Sequence, residues 1–354
     1  MNRFNQIIKA QRLRKGMLVR ELAQRIGVDS ALVSRYEKGE RLPTEAILIK
    51  MQEALGITDR QLKKYWLAEK ILEQVKPYPE AVEALSIVEE TMTAYKKAAK
   101  AAMPRELKQL LAEADKLKKA LRQFYPLNKA QLMRLNEYFV THYTYESNRI
   151  EGNTLTLQET ALVVNKGITI SGKSVREHLE AINHAEAITY VQDIAMGKTI
   201  ISEKLIKELH YLILKSIDKE NAGSYRRANV RIAGSRHIPV EHFEVPLEMQ
   251  KLLQYYGKEK NRLHPILLAA DLHWMLAGIH PFIDGNGRTS RLLMNLILIN
   301  NGYVIANLKG DISSKAAYYD ALEEGHVHMN MMPFRKLVLQ TVIDGLNEYL
   351  AILS

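Results

Sequence analysis

The chain has 354 residues, 47% hydrophobic and 25% charged, a balance that describes two or three folded domains and excludes a disordered or fibrous polypeptide. It contains no cysteine, which rules out disulfides, thiolate nucleophiles and cysteine-bound zinc and fits a reducing compartment. Of the net charge of +10, +7 falls on residues 1–64, where 14 Lys and Arg face 7 acids; such asymmetry implies a polyanion partner for that segment.

Helical spacing of apolar residues organises the start of the chain, through Ile7, Ile8 and Leu13 and then Leu18, Leu22, Ala23 and Ile26. Gly27 breaks the pattern, Asp29 or Ser30 caps a second helix carrying Leu32, Val33 and Tyr36, and Gly39 ends it before Pro43. Helix, short turn and helix in this order form a helix-turn-helix. The stretch from Arg20 to Gly39 resembles the Cro and phage-repressor family, also called the XRE type. The resemblance implies a DNA-binding domain over residues 1–65 with duplex DNA as partner. Its recognition helix would run from Asp29 to Lys38, with Ser30, Ala31, Ser34 and Arg35 as readers of base edges. Arg12, Arg14, Arg20, Lys38 and Arg41 would contact phosphates. The alternative is a helical head that has become a protein-docking module; the positive surplus favours DNA.

Residues 66–125 are rich in Ala, Leu, Glu and Lys and are cut by Pro77, Pro79 and Pro104. They read as a helical connector, with homo-oligomerisation through a helix pair as one use for it. From 126 to 354 the pattern is again mostly helical. Two segments there share the spacing Ser-x-x-x-Glu followed by Gly or Asn: Ser147 to Gly152 and Ser216 to Asn221. Between Tyr225 and Val245, polar and apolar residues alternate around Ala233-Gly234-Ser235, the signal of a β-hairpin.

The densest chemistry lies in His280-Pro-Phe-Ile-Asp284-Gly285-Asn286-Gly287-Arg288-Thr-Ser-Arg291. His280 stands where an imidazole can accept a proton, and Asp284 offers a hard oxygen ligand suited to Mg²⁺. Gly285-Asn286-Gly287 opens a helix, so free N–H groups and the positive end of its dipole face an anion. Arg288 and Arg291, three apart, can each hold a phosphate. This stretch resembles the signature of the Fic family, H-P-F-x-[DE]-G-N-G-R-x-x-R, at every specified position. Of these nine positions, the eight that specify a single residue type alone have a chance expectation on the order of 10⁻⁸.

The resemblance implies an all-helical Fic fold over 126–354 with a β-hairpin flap that holds a target protein's backbone. It implies transfer of AMP from ATP to a Ser, Thr or Tyr hydroxyl of that protein. His280 would be the base and Asp284 the Mg²⁺ ligand. The nucleotide would lie on Asp284, Gly285, Asn286, Gly287, Arg288 and Arg291, bordered by Gly234, Ser235, Arg236 and His237, with Tyr318, Tyr319 and Leu322 at the adenine. Gly287 favours AMP transfer, because the phosphotransferase branch of the family carries lysine there. The family's inhibitory motif matches 147–153, making Glu151 the expected partner of Arg291 and a brake on the γ-phosphate; Glu220 is read as a chance match. Removal of AMP, with Glu151 orienting water, is the close variant. The rival from another class is a DNA-binding regulator whose Fic body senses a ligand or is inert. No apolar run is long enough to span a bilayer, and Met1-Asn-Arg-Phe-Asn-Gln lacks a signal-peptide core, so a cytoplasmic protein without a membrane partner is expected.

Overall fold

The computed structural model describes residues 4–57, 60–100, 103–197 and 199–354. Among these, 16 α-helices form two compact units, Met1–Ala102 and Met103–Ser354.

The first unit holds α1 (Phe4–Arg14), α2 (Val19–Ile26), α3 (Ser30–Lys38), α4 (Glu45–Leu55), α5 (Arg60–Val75) and α6 (Ala81–Lys100). Gly27 takes the left-handed conformation (φ 72°) that ends α2, a backbone glycine adopts without a Cβ penalty. Asp29 then caps α3 by accepting from Leu32 N at 2.6 Å. The expected helix-turn-helix is therefore present with the expected breaks. Its core gathers Phe4, Ile8, Leu22, Ile26, Val33, Leu48, Met51 and Leu55, and also Leu62 and Trp66 from α5. Trp66 Nε1 donates to Pro43 O at 2.8 Å, so the head does not end at residue 65.

The second unit holds α7 (Arg105–Arg122), α8 (Lys129–Ile150), α9 (Leu157–Lys166), α10 (Val175–Met196), α11 (Glu203–Leu214) and α12 (Val245–Glu259). They are followed by α13 (Pro265–Ile279), α14 (Asn286–Asn300), α15 (Ile312–His328) and α16 (Met332–Leu353). Residues 66–125 do not form one connector: the units divide after Ala102, and Leu107, Leu111, Ala114 and Leu121 of α7 belong to the second unit's core. Their helical spacing is the reason, because it gives α7 an apolar stripe that must be covered. At the centre, α13 and α14 pack against each other. Ten of the 15 residues of α13 and 12 of the 15 of α14 are buried, as befits helices enclosed on every side. Around them lie α8, α10, α11, α12 and α16.

One expectation fails. The segment from Tyr225 to Val240 contains no strand and runs as an open loop that turns at Gly234 (φ 78°). Arg226 explains this: its guanidinium takes the carbonyls of His280 (2.8 Å) and Ala228 (2.9 Å) and also that of Val240. Polar-apolar alternation alone does not form a strand when side chains claim the backbone groups.

Candidate active site

The turn joining α13 to α14 carries the signature residues. His280 caps α13 in the left-handed conformation (φ 52°, ψ 56°), a costly geometry for a residue with a Cβ. It is held by Arg226, whose Nε donates to His280 O at 2.8 Å and whose backbone N donates to Pro281 O at 2.9 Å. His280 Nδ1 faces Ala277 O at 3.3 Å. Only a protonated Nδ1 can make that bond, so Nε2 keeps its lone pair. Burial holds the imidazole below its ordinary pKa, against the opposing bond to Ala277 and the charge of Glu151; His280 is therefore neutral at pH 7 and able to accept a proton.

Asn286 braces the turn with both ends of its amide, accepting from Phe282 N and donating to Phe282 O, each at 2.9 Å. Its side chain is thereby consumed. What Asn286 and Gly287 offer an anion is their backbone N–H groups at the start of α14, which have no helical partner. His210 was not singled out from the sequence, yet it fixes the same turn. Its Nδ1 accepts from Gly223 N at 2.9 Å, so its Nε2–H donates to Asp284 O at 2.9 Å. Its ring stacks on Phe282 at 3.7 Å and 4°, and burial pushes its pKa down to about 4. In sequence it is one histidine among the leucines and isoleucines of α11.

The two arginines are both buried, but they answer to different helices. Arg288 lies 3.5 Å from Glu180 of α10 and 3.4 Å from Asp284, and its Nε has no hydrogen-bond partner. Arg291 Nε donates to Ser147 Oγ (2.9 Å), while its Nη2 donates to Ser147 O (2.9 Å) and to Glu151 Oε1 (2.7 Å). Burial opposes its charge, and the carboxylate of Glu151 more than restores it. Glu151 sits at the C-terminal cap of α8. Its Oε1 lies so close over Gly287 that a Cβ there would collide with it. The carboxylate thus occupies the approach to the first turn of α14, where an anion would bind. Glu220 lies on an exposed turn beyond α11, and the acidic partner of Arg291 is Glu151.

Asp284 is partly exposed. Its Oδ1 accepts from Gly285 N at 2.6 Å and its Oδ2 from Arg176 Nη2 at 2.7 Å. Burial would raise its pKa; Arg288, Gly285 N–H and Arg176 together hold it below the usual carboxylate range. No group of three or more His, Cys, Asp or Glu side chains among the described residues could hold a metal. A single carboxylate still fits Mg²⁺, which takes one or two from protein and the rest of its shell from phosphates and water.

The remaining site residues are divided. His237 Nε2–H donates to Gly278 O at 2.8 Å, tying the loop to the end of α13, and its ring continues a stack through His326 to Trp274. Ser235 and Arg236 turn instead to Glu323 of α15, with Arg236 N and Nε donating at 2.9 and 3.1 Å. Tyr318 does not line a pocket: it is buried, and its hydroxyl lies 3.5 Å from Arg291 Nη1 and 3.2 Å from His273 Nε2. It supports the arginine from behind. Tyr319 is 42% exposed and donates to Ile150 O at 3.4 Å, which leaves it at the rim beside the Glu151 turn.

On the head, Ser30, Ala31 and Arg35 are exposed along α3 and Ser34 is half-buried, a surface that can enter a groove. Arg14, Arg20, Lys38 and Arg41 are exposed as well. Arg12 is not available to phosphate. It is buried against Glu37 with bonds of 2.6 and 2.8 Å and donates a third to Met17 O at 2.7 Å.

Comparison with known proteins identifies the family. The Fic/DOC family profile matches residues 200–298 and a helix-turn-helix profile matches residues 8–62. The protein adenylyltransferase Fic of Drosophila grimshawi is 36% identical over 244 residues, which are 68% of this chain and 49% of that protein. The Drosophila melanogaster protein of the same name is 35% identical over an equal span. The chain thus spans about half the length of the curated relatives it matches. A Fic-domain signalling protein of Bacteroides thetaiotaomicron superposes with a TM-score of 0.61 at 30% identity, covering 70% of this chain and 97% of its own. A Fic-1 fragment from C. elegans shares the fold at a TM-score of 0.62 and 24% identity, over 99% of this chain and 98% of that one. No described helix is long and apolar enough to cross a membrane. The chain belongs to the Fic/DOC family and carries a helix-turn-helix domain ahead of its Fic domain.

Proposed function

We propose that this protein transfers AMP from ATP to the hydroxyl of a protein side chain and that Glu151 restrains it. The observation that carries the reading is the position of the Glu151 carboxylate, bonded to Arg291 and pressed over Gly287. A side chain with the charge of a phosphate lies on the groups a phosphate would need. The adenylyltransferase name of the Drosophila relatives supports the chemistry.

In the transfer, the acceptor oxygen attacks the α-phosphorus of ATP while its proton passes to His280 Nε2. The bond from that phosphorus to the bridging oxygen breaks, and pyrophosphate leaves with the electron pair. Arg288 neutralises the β-phosphate, and Arg291, once released by Glu151, the γ-phosphate. Backbone N–H groups of Asn286 and Gly287 bind the phosphate oxygens as preorganised donors that need no reorientation. Asp284 would hold Mg²⁺, which supplies charge neutralisation on the phosphates. His210, Asn286 and Arg226 keep the turn in register, and a shift of about 1 Å in such a turn can cost two orders of magnitude in rate. The exposed face of α3 with its basic flanks supports duplex DNA as the partner of the head.

The test is incubation with α-labelled ATP. Label should enter protein in the presence of the Glu151→Gly chain and should not when His280 is also replaced by Ala.

A further inference from the structure

Asp284 is engaged on both oxygens before any ligand arrives. Oδ1 accepts from Gly285 N and lies 3.4 Å from Arg288 Nη2, the buried cation of α14, while Oδ2 is taken by the more exposed Arg176 of α10 at 2.7 Å. Arg176 is aimed: its Nε donates to Glu180 Oε1 at 3.2 Å, one helical turn along, and Glu180 Oε2 is itself fixed by Asn153 Nδ2 at 3.0 Å. A cation bound to Oδ2 must displace this guanidinium, and any divalent ion that shares the carboxylate with it meets its charge at close range. The Arg176 side chain is 58% exposed and that of Asp284 44%, so the exchange can occur without unfolding. We propose that Arg176 is a tethered cation that competes with the divalent metal for Asp284 and sets how tightly that carboxylate binds it. The inference rests on Asp284 being the metal ligand.

The experiment is titration of the full chain with Mn²⁺, followed by the paramagnetic resonance of the free ion, with and without saturating ADP. Removing the charge in Arg176→Gln should tighten Mn²⁺ binding by up to about fivefold, the worth of a half-exposed ion pair. Arg176→Lys, which keeps the charge, should stay close to the wild type. Asp284→Asn should abolish the binding. If Arg176→Gln binds no more tightly while Asp284→Asn binds nothing, the competition is overturned and the metal assignment stands. Binding that survives Asp284→Asn undiminished, or is absent from every form with and without ADP, overturns both.

Discussion

Replacing Glu151 by glycine should activate the protein, and the size of the gain follows from the contact. Glu151 gives Arg291 one charge-assisted hydrogen bond of 2.7 Å, the arginine being 1% exposed and the carboxylate 28%. A bond of this type is worth about 1.5–3 kcal/mol. Arg291 does not become an orphan in the variant, because Ser147 still accepts from it through Oγ and O at 2.9 Å each. The arginine therefore stays in place and is free to take the γ-phosphate. With ATP below saturation, removing a competitor of that strength raises transfer roughly 10- to 100-fold. Initial rates of label transfer from α-labelled ATP, compared with Glu220→Gly as the control, measure the gain. The nucleotide dependence adds a second reading: the variant should lose thermal stability without ATP and gain more than the wild type from it, since a ligand of the native state stabilises by mass action. Equal initial rates for Glu151→Gly and wild type would refute the reasoning, and activation by Glu220→Gly alone would place the brake in the wrong segment.

Other outcomes follow from the same geometry. His280→Ala should abolish transfer and leave ATP affinity, measured calorimetrically, nearly unchanged, because the imidazole handles the acceptor's proton. Transfer should fall in acid with an inflection below pH 6.5, since burial lowers the His280 pKa from that value and only the neutral form accepts a proton; a rate profile with its inflection above pH 7 would contradict this. His210 has a pKa of about 4 in the fold against 6.5 unfolded, so the unfolded chain takes up the proton first. The contribution of about 3 kcal/mol is complete above pH 6.5 and is lost as pH falls towards 4, which denaturant titrations of wild type and His210→Gln across that range can compare. In the head, Ser34→Ala with Arg35→Ala should flatten the full chain's preference among duplex sequences more than it weakens non-specific binding in gel shifts. Arg12→Ala should instead cost about 3–5 kcal/mol of head stability by stranding the buried Glu37 carboxylate.

Much of the site was legible because the signature is contiguous: one turn and the first two turns of one helix bring His280, Asp284, Arg288 and Arg291 into place without help from distant sequence. Glu151 was legible through its motif, although only the fold shows that its carboxylate reaches over Gly287. Features that depend on distant partners were not. Arg226 and His210 act on the turn from 54 and 74 residues away, and neither carries a local pattern that distinguishes it from a surface arginine or a core histidine. The flap failed for a related reason, since alternation predicts a strand only if the backbone groups are left free. Tyr318 and Arg12 illustrate the opposite error, in which a residue type suited to a ligand is consumed by the core. On the head, short-range signals sufficed, because Gly27, Asp29 and Gly39 fix their helix ends locally.

The most direct test of the central claim is the intact mass of the protein after incubation with ATP. The Glu151→Gly chain should gain the mass of one or more AMP groups and the Glu151→Gly, His280→Ala chain none. An added phosphate in place of AMP, or an AMP adduct that forms equally well without His280, would contradict the account.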